Sequence, residues 1–206
     1  MTDELGIKGQ VMQCVGAWFL GTAGFLLYFI YDVNSVIWKK RELRHLFAVG
    51  SLCVAGSAVW AVAEAGVCRR EHTAIKSVFG AGAVLFFVLL IYTLFFALPF
   101  EETYLDENRM RPAYTEGVYS LCRHPGVLWF AGIYLCLWGL TAKLSQGSYF
   151  LSMIIWNVFY IVFQDLWTFP RSFTNYEDYK KETPFLLPNG KSIKGCWRYR
   201  KKGNRS

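Results

Sequence analysis

Residues 78–100 read VFGAGAVLFFVLLIYTLFFALPF, a run from Val78 to Phe100 without one charged side chain. A helix that crosses the hydrocarbon core of a bilayer takes about 20 residues, within a range of roughly 17–25. This run has that length, and as a helix it satisfies its own backbone groups, which hydrocarbon demands. Four further uncharged runs occupy residues 11–30, 47–63, 126–142 and 144–164. They are continuously apolar, so they lack the alternation of a transmembrane β-barrel. Composition agrees: 54% of residues are apolar and 18% are charged, where a soluble domain carries about 25% charged. The sequence therefore predicts an all-α integral membrane protein with about five transmembrane helices. The expected spans are residues 11–31, 46–67, 77–98, one from about Val127, and one after the short turn at 143–147.

Charge sets the expected topology. The leader before the first run carries Asp3 and Glu4 against Lys8, unlike the positive start of a secretory leader, so the run reads as a retained span. Lys39, Lys40, Arg41 and Arg44 follow it and mark a cytoplasmic loop. Arg69, Arg70 and Lys76 fall on the opposite side and run against that assignment. The last 36 residues, 171–206, hold ten basic and three acidic side chains, so they carry the whole net charge of +7. Such a tail belongs on the cytoplasmic side, where anionic headgroups attract it. The expected organisation is three N-terminal helices over residues 1–100, a cofactor-binding region with two helices over 101–190, and a basic tail over 191–206. The expected location is a multi-pass membrane protein with a cytoplasmic C-terminus, in the inner membrane of a bacterium or the endoplasmic reticulum of a eukaryote.

The six cysteines form no Cys-x-x-Cys pair, and Cys14, Cys53 and Cys136 fall in apolar runs. That pattern suits packing rather than metal or disulfide chemistry. Glu64, near the end of the second run, is placed to pair with Arg69 and Arg70.

Between the third and fourth runs lies a long polar loop, and it ends on Thr115-Glu116-Gly117-Val118-Tyr119-Ser120-Leu121-Cys122-Arg123-His124-Pro125. A guanidinium and an imidazole held at a span boundary make a natural anion site. The short 143–147 turn makes the last two spans an antiparallel hairpin, which returns the chain to the side of Arg123 and His124. There the fifth run ends on Asn157, Gln164 and Asp165. Asn157 and Gln164 share a helix face.

The Thr-Glu-Gly-Val-Tyr stretch at 115–119, followed by Arg123-His124-Pro125 at the mouth of an apolar helix, resembles the isoprenylcysteine carboxyl methyltransferase family. Phospholipid N-methyltransferases carry a similar Arg-His-Pro. Tyr176-Glu177-Asp178-Tyr179, with Pro184 and Pro188 behind it, resembles the Tyr-x-x-Tyr that follows the last span in that family. The likeness covers about residues 112–190. It implies S-adenosylmethionine as cofactor and methyl transfer to a lipophilic acceptor, such as the carboxylate of a prenylated cysteine or another small lipid. It implies catalytic roles for Arg123 and Asp165, and cofactor binding by Tyr119, Arg123, His124, Pro125, Gln164, Tyr176 and Tyr179. In chemical terms Arg123 suits the cofactor carboxylate, and His124 suits the carboxylate or the ribose. The tyrosines suit the adenine or the sulfonium, and Asp165 or Gln164 suits the ammonium. Pro125 fixes the backbone entering the helix. A carboxylate acceptor needs no base, whereas a lipid amine needs one, for which His124 or Asp165 is available. The chain departs from the family at Val127 and Trp129, where a Tyr and a Gly are usual. It departs again at Gln164 and Asp165, where a pair of glutamates is usual, and at Ser172 and Phe173, where a Phe-Gly is usual.

Other readings of these residues stay open. A membrane reductase acting on sterol-type lipids with a nicotinamide cofactor would place similar groups at a cytoplasmic loop. A non-catalytic membrane protein would use Arg123 and His124 as boundary anchors, the tyrosines as an aromatic belt, and Asp165 as a partner for Arg171 or Lys180. The partners expected are lipids and a lipophilic or prenylated substrate. Nucleic acid is not among them, because no stacking platform or groove-reading helix accompanies the charge.

Overall fold

Apolar runs of this length leave the backbone one local way to pair its own polar groups, and the chain takes it. The computed structural model describes residues 15–66, 73–97 and 112–203, and their regular structure is helical throughout. Helix α1 is Val15–Val33, α2 is Leu46–Ala65 and α3 is Thr73–Ile91. Helix α4 is Pro125–Thr141 and α5 is Gly147–Phe163. Three shorter helices follow: α6 at Phe169–Ser172, α7 at Tyr176–Glu182 and α8 at Gly190–Gly203.

Among the described residues, four helical stretches are long and apolar enough to cross a membrane: Val15–Trp38, Arg41–Ala65, Thr73–Phe96 and Leu144–Ser172. The fourth expected span, from about Val127, corresponds to α4, which is apolar but only 17 residues long. That is the short end of the range of roughly 17–25 for a bilayer helix. The outer ends of the first three expected spans, at 11–14, 67 and 98, lie outside the described residues. So do Arg69, Arg70, His72, Tyr104 and the acidic loop before residue 112.

The residues group into two compact units. One is drawn from Met1–Leu85 and Ala131–Val162, the other from Phe86–Phe130 and Phe163–Ser206.

In the first unit small residues let helices approach closely. A Cβ on Gly24 would lie 2.8 Å from the carbonyl oxygen of Gly50, and one on Gly50 would lie 2.9 Å from that of Gly24, so α1 and α2 meet backbone to backbone. Ala58, Ala61 and Ala65 continue the buried face of α2. Gly21 sits against Met153 and Ser57, while Phe25 stacks on Trp156. A polar cluster lies deep in this core: the Ser57 and Tyr149 hydroxyls are 2.8 Å apart, and Tyr134 donates to the Val54 carbonyl at 3.3 Å. Glu64, expected to pair with Arg69 and Arg70, accepts a hydrogen bond from Trp60 Nε1 at 2.6 Å. Helix α3 has no buried residue over Thr73–Ile91. A long apolar helix with no fully buried residue suits hydrocarbon surroundings rather than water.

Among the described residues, three long helices end in a π turn, at Asn34–Trp38, Tyr92–Phe96 and Gln164–Thr168. Each turn buries a polar residue: Asn34, Thr93, and Asp165 with Thr168. A π turn widens the helix and leaves its bonding pattern unfinished, which frees groups for other partners. Asn34 uses both ends of its amide on Lys40, accepting from its N–H at 2.9 Å and donating to its carbonyl at 3.0 Å. Thr93 and Asp165 belong to the second unit, where they organise the candidate site.

Candidate functional site

The local sequence explains how Arg123 and His124 are held. Gly117 takes a positive φ of 58° and starts a 3-10 turn over Gly117–Ser120. Pro125 then opens α4, a position where its missing N–H costs nothing. Between the two, the backbone runs beside the segment that follows α7. Arg123 N–H donates to the Pro184 carbonyl at 2.9 Å, and His124 N–H donates to the Phe185 carbonyl at 3.3 Å. The proline noted after the Tyr-x-x-Tyr therefore presents a carbonyl to the Arg-His-Pro stretch.

Asp165 is the centre of the site. Arg123 grips it at two points, Nε to Oδ1 at 2.8 Å and Nη2 to Oδ2 at 3.0 Å. His124 Nε2 lies 3.0 Å from Oδ1, and the Tyr176 hydroxyl donates to the same oxygen at 2.6 Å. Arg123 Nη1 is spent on the carbonyls of Thr183, at 2.6 Å, and Lys180, at 3.2 Å. All of this is buried: the Arg123 and Asp165 side chains are 9% and 6% exposed. Aromatic rings close the surroundings. His124 stacks on Phe169 and meets Phe185 edge-on, and the Arg123 guanidinium lies over Phe185.

The second tyrosine works one layer away. Tyr179 donates to the Tyr119 carbonyl at 2.6 Å, and Tyr119 donates to the Thr93 carbonyl at 3.0 Å. The Thr93 hydroxyl accepts from Trp129 Nε1, also at 3.0 Å. Trp129, where the resembled family usually has Gly, thus packs by its ring on Phe86 and by its N–H on Thr93. Val127, the other departure, is buried.

Electrostatics follow from these contacts. Burial works against a charged Arg123, but the hydrogen bonds and charge of Asp165 outweigh it and hold the guanidinium above its ordinary value. Burial pushes His124 below the usual imidazole range. The Asp165 carboxylate pulls the other way, but its charge is already answered by Arg123, whose own charge adds to the push. The imidazole is therefore neutral at pH 7 and donates Nε2–H to the carboxylate. Burial, then the bond to Asp165, raises the Tyr176 phenol, and burial raises that of Tyr179. Both remain donors across the physiological range.

No protein-family model matches the chain, and no curated protein or solved structure does either.

Of the expected site residues, Arg123, His124, Asp165 and Tyr176 share one hydrogen-bonded cluster, and Tyr119 and Tyr179 form the adjoining layer. Pro125 starts α4, and Gln164 lies half-buried beside Asp165 in the same π turn. The alternative pairing of Asp165 with Arg171 or Lys180 is overturned. Lys180 lies 3.4 Å from Glu177, and Arg171 packs over the Trp167 ring. Thr93, Phe169, Phe185 and the Thr183 carbonyl escaped the sequence reading. A lone threonine in an apolar run carries no signal until the helix is known to break there.

S-adenosylmethionine can be tested against these residues. Its amino-acid end is a zwitterion, and the site offers the matching pair of charges, a guanidinium and a carboxylate. They are closed on each other. Arg123 can take a cofactor carboxylate by exchanging one carboxylate for another, with the cofactor ammonium answering Asp165. The exchange leaves neither charge of the amino-acid end unpaired. In charge and donor type the residues fit.

Proposed function

We propose that the chain is a multi-pass, five-span integral membrane enzyme that transfers a methyl group from S-adenosylmethionine to a lipophilic acceptor. The acceptor class is the carboxylate of a prenylated cysteine or a comparable small lipid. The observation that carries this reading is the meeting of two separated sequence signatures, Arg123-His124 and Tyr176-x-x-Tyr179, on one buried carboxylate, Asp165. Anchoring at a membrane boundary would require neither the two-point grip nor the convergence.

The cofactor supplies an activated methyl group on a sulfonium. In this reading Arg123 and Asp165 hold its amino-acid end and Gln164 lies beside them. His124 and Tyr176 keep Asp165 oriented, and Tyr119 and Tyr179 set the turn over the site. A methyl transfer to a carboxylate needs alignment and dryness more than proton traffic. A site of buried, neutral donors around one ion pair suits that task. The cytoplasmic face is the side of cofactor entry, and the acceptor arrives from the bilayer.

Calorimetry of the purified, detergent-solubilised protein with S-adenosylmethionine tests the reading. Saturable heat that Arg123→Lys weakens at least about ten-fold is expected, because lysine keeps the charge but not the fork. No heat with the parent protein would overturn it. A melting shift on addition of a nicotinamide dinucleotide instead would favour the reductase.

A further inference from the structure

Helix α8, Gly190–Gly203, reads GKSIKGCWRYRKKG, with six Lys or Arg and no acidic residue. It has a firm start: Asn189 Oδ1 accepts the N–H groups of Lys191 and Ser192 at 3.0 and 2.9 Å, an N-cap that fixes the first turn. Its described side chains divide into three faces. Ser192 and Cys196, four apart, form the inner face: Ser192 is buried, and Cys196 Sγ lies 3.7 Å from the Gly117 carbonyl. Ile193 and Trp197, also four apart, point outward with 47% and 71% of their surface exposed, and Leu187 just before the helix is 71% exposed. Lys191 and Lys194, three apart, are exposed as well.

Exposed Trp and Ile beside a run of basic residues have no use in water, where they leave apolar surface uncovered. At the boundary between headgroups and acyl chains both faces are satisfied: apolar side chains enter the boundary and ammonium groups meet phosphates. We infer that α8 is a docking helix for an anionic lipid leaflet, and that its inner face braces the Gly117–Ser120 turn which carries Tyr119. Charge complementarity commits the surface to this occupant, since each basic residue near an anionic leaflet strengthens adsorption about five-fold. The brace links leaflet to site: the turn under α8 offers the Tyr119 carbonyl to Tyr179. The inference rests on the membrane reading above but not on methyl transfer.

The test is amide exchange on the full chain reconstituted in nanodiscs of phosphatidylcholine alone, or of phosphatidylcholine mixed with phosphatidylglycerol. Exchange over residues 190–203 is expected to slow at least about five-fold in the anionic discs and to recover at high salt. Peptides from 147–163 are expected to exchange alike in both discs and report that the protein is folded and inserted. Failure to reconstitute would sink the membrane reading. Equal exchange over 190–203 in a protein that does reconstitute sinks this inference alone. Lys191→Glu with Lys194→Glu, and separately Trp197→Ala, should each remove most of the lipid difference. Protection by single-stranded RNA in neutral discs, with none from anionic lipid, would assign the helix to nucleic acid and overturn the proposal.

Discussion

Arg123 and Asp165 lie 42 positions apart and meet in a two-point ion pair, with Nε and Nη2 on separate carboxylate oxygens at 2.8 and 3.0 Å. Two more donors, His124 and Tyr176, complete the coordination of that carboxylate. A buried ion pair adds little stability compared with apolar side chains of the same size, yet breaking one is costly because the surviving charge stays buried. The arrangement therefore fixes a unique geometry more than it contributes net stability. It ties the π turn after α5 to the loop before α4 and to α7.

Asp165→Asn leaves Arg123 without its counter-charge. The expected loss is about 3 kcal/mol, or about 6–12 °C in melting temperature for a chain of this size. Thermal melting in detergent measures it. Replacing both partners, Arg123→Met with Asp165→Leu, should cost clearly less than the sum of the single changes, since they share one interaction. Strict additivity would show that the pair is not coupled.

The two tyrosines of the Tyr-x-x-Tyr are predicted to differ. Tyr176→Phe removes a bond to a carboxylate and should cost about 1.5–3 kcal/mol, whereas Tyr179→Phe removes a bond to a neutral carbonyl and should cost about 1 kcal/mol. Denaturation midpoints of the two variants, side by side, decide the order. Equal effects would mean that Asp165 is held well enough without Tyr176.

Acid should destabilise the protein through His124. Its folded value lies below the ordinary 6.5, with burial as the leading cause. Between that depressed value and 6.5 the unfolded chain binds a proton that the folded chain does not, so stability rises with pH across the window. It is complete above about 6.5 and is lost as the pH falls. Melting temperatures from pH 7.5 to 5 should show this fall, and His124→Gln should flatten it. An unchanged slope in the variant would assign the effect to other groups.

Close helix contact in the first unit should tolerate no added side chain at Gly24. A Cβ there meets Gly50 backbone and Val54 at under 3 Å. Gly24→Val is expected to cost about 1–3 kcal/mol through forced separation of α1 and α2. Gly56, whose Cβ position has nothing nearer than 3.8 Å, serves as the control. Gly56→Ala should melt within about 2 °C of the parent.

The membrane-like character of this chain is legible one run at a time. Uncharged stretches of bilayer length dictate helix because the backbone of each can pair only with itself, and α1, α2, α3 and α5 follow directly. Helix α4 is legible as a helix, but its 17 residues have no adjoining turn to lengthen them, whereas the turns on either side of α5 extend that helical stretch to Leu144–Ser172. That Arg123, His124 and the tyrosines would lie together was legible too, because the short turn at 143–147 returns the chain to the side of the Arg-His-Pro stretch.

What local pattern could not show was who meets whom. As an ion-pair partner for Asp165 the sequence offered Arg171 or Lys180, and the carboxylate took Arg123 instead. Three π turns placed Asn34, Thr93 and Asp165 where a regular helix would have aimed them elsewhere. The order of residues determined the helices, their apolar surfaces and the inventory of charges, because those depend on neighbours along the chain. Only the tertiary structure decided that the guanidinium and the carboxylate close on each other, because a buried charge must find its opposite wherever the packed helices bring one within reach.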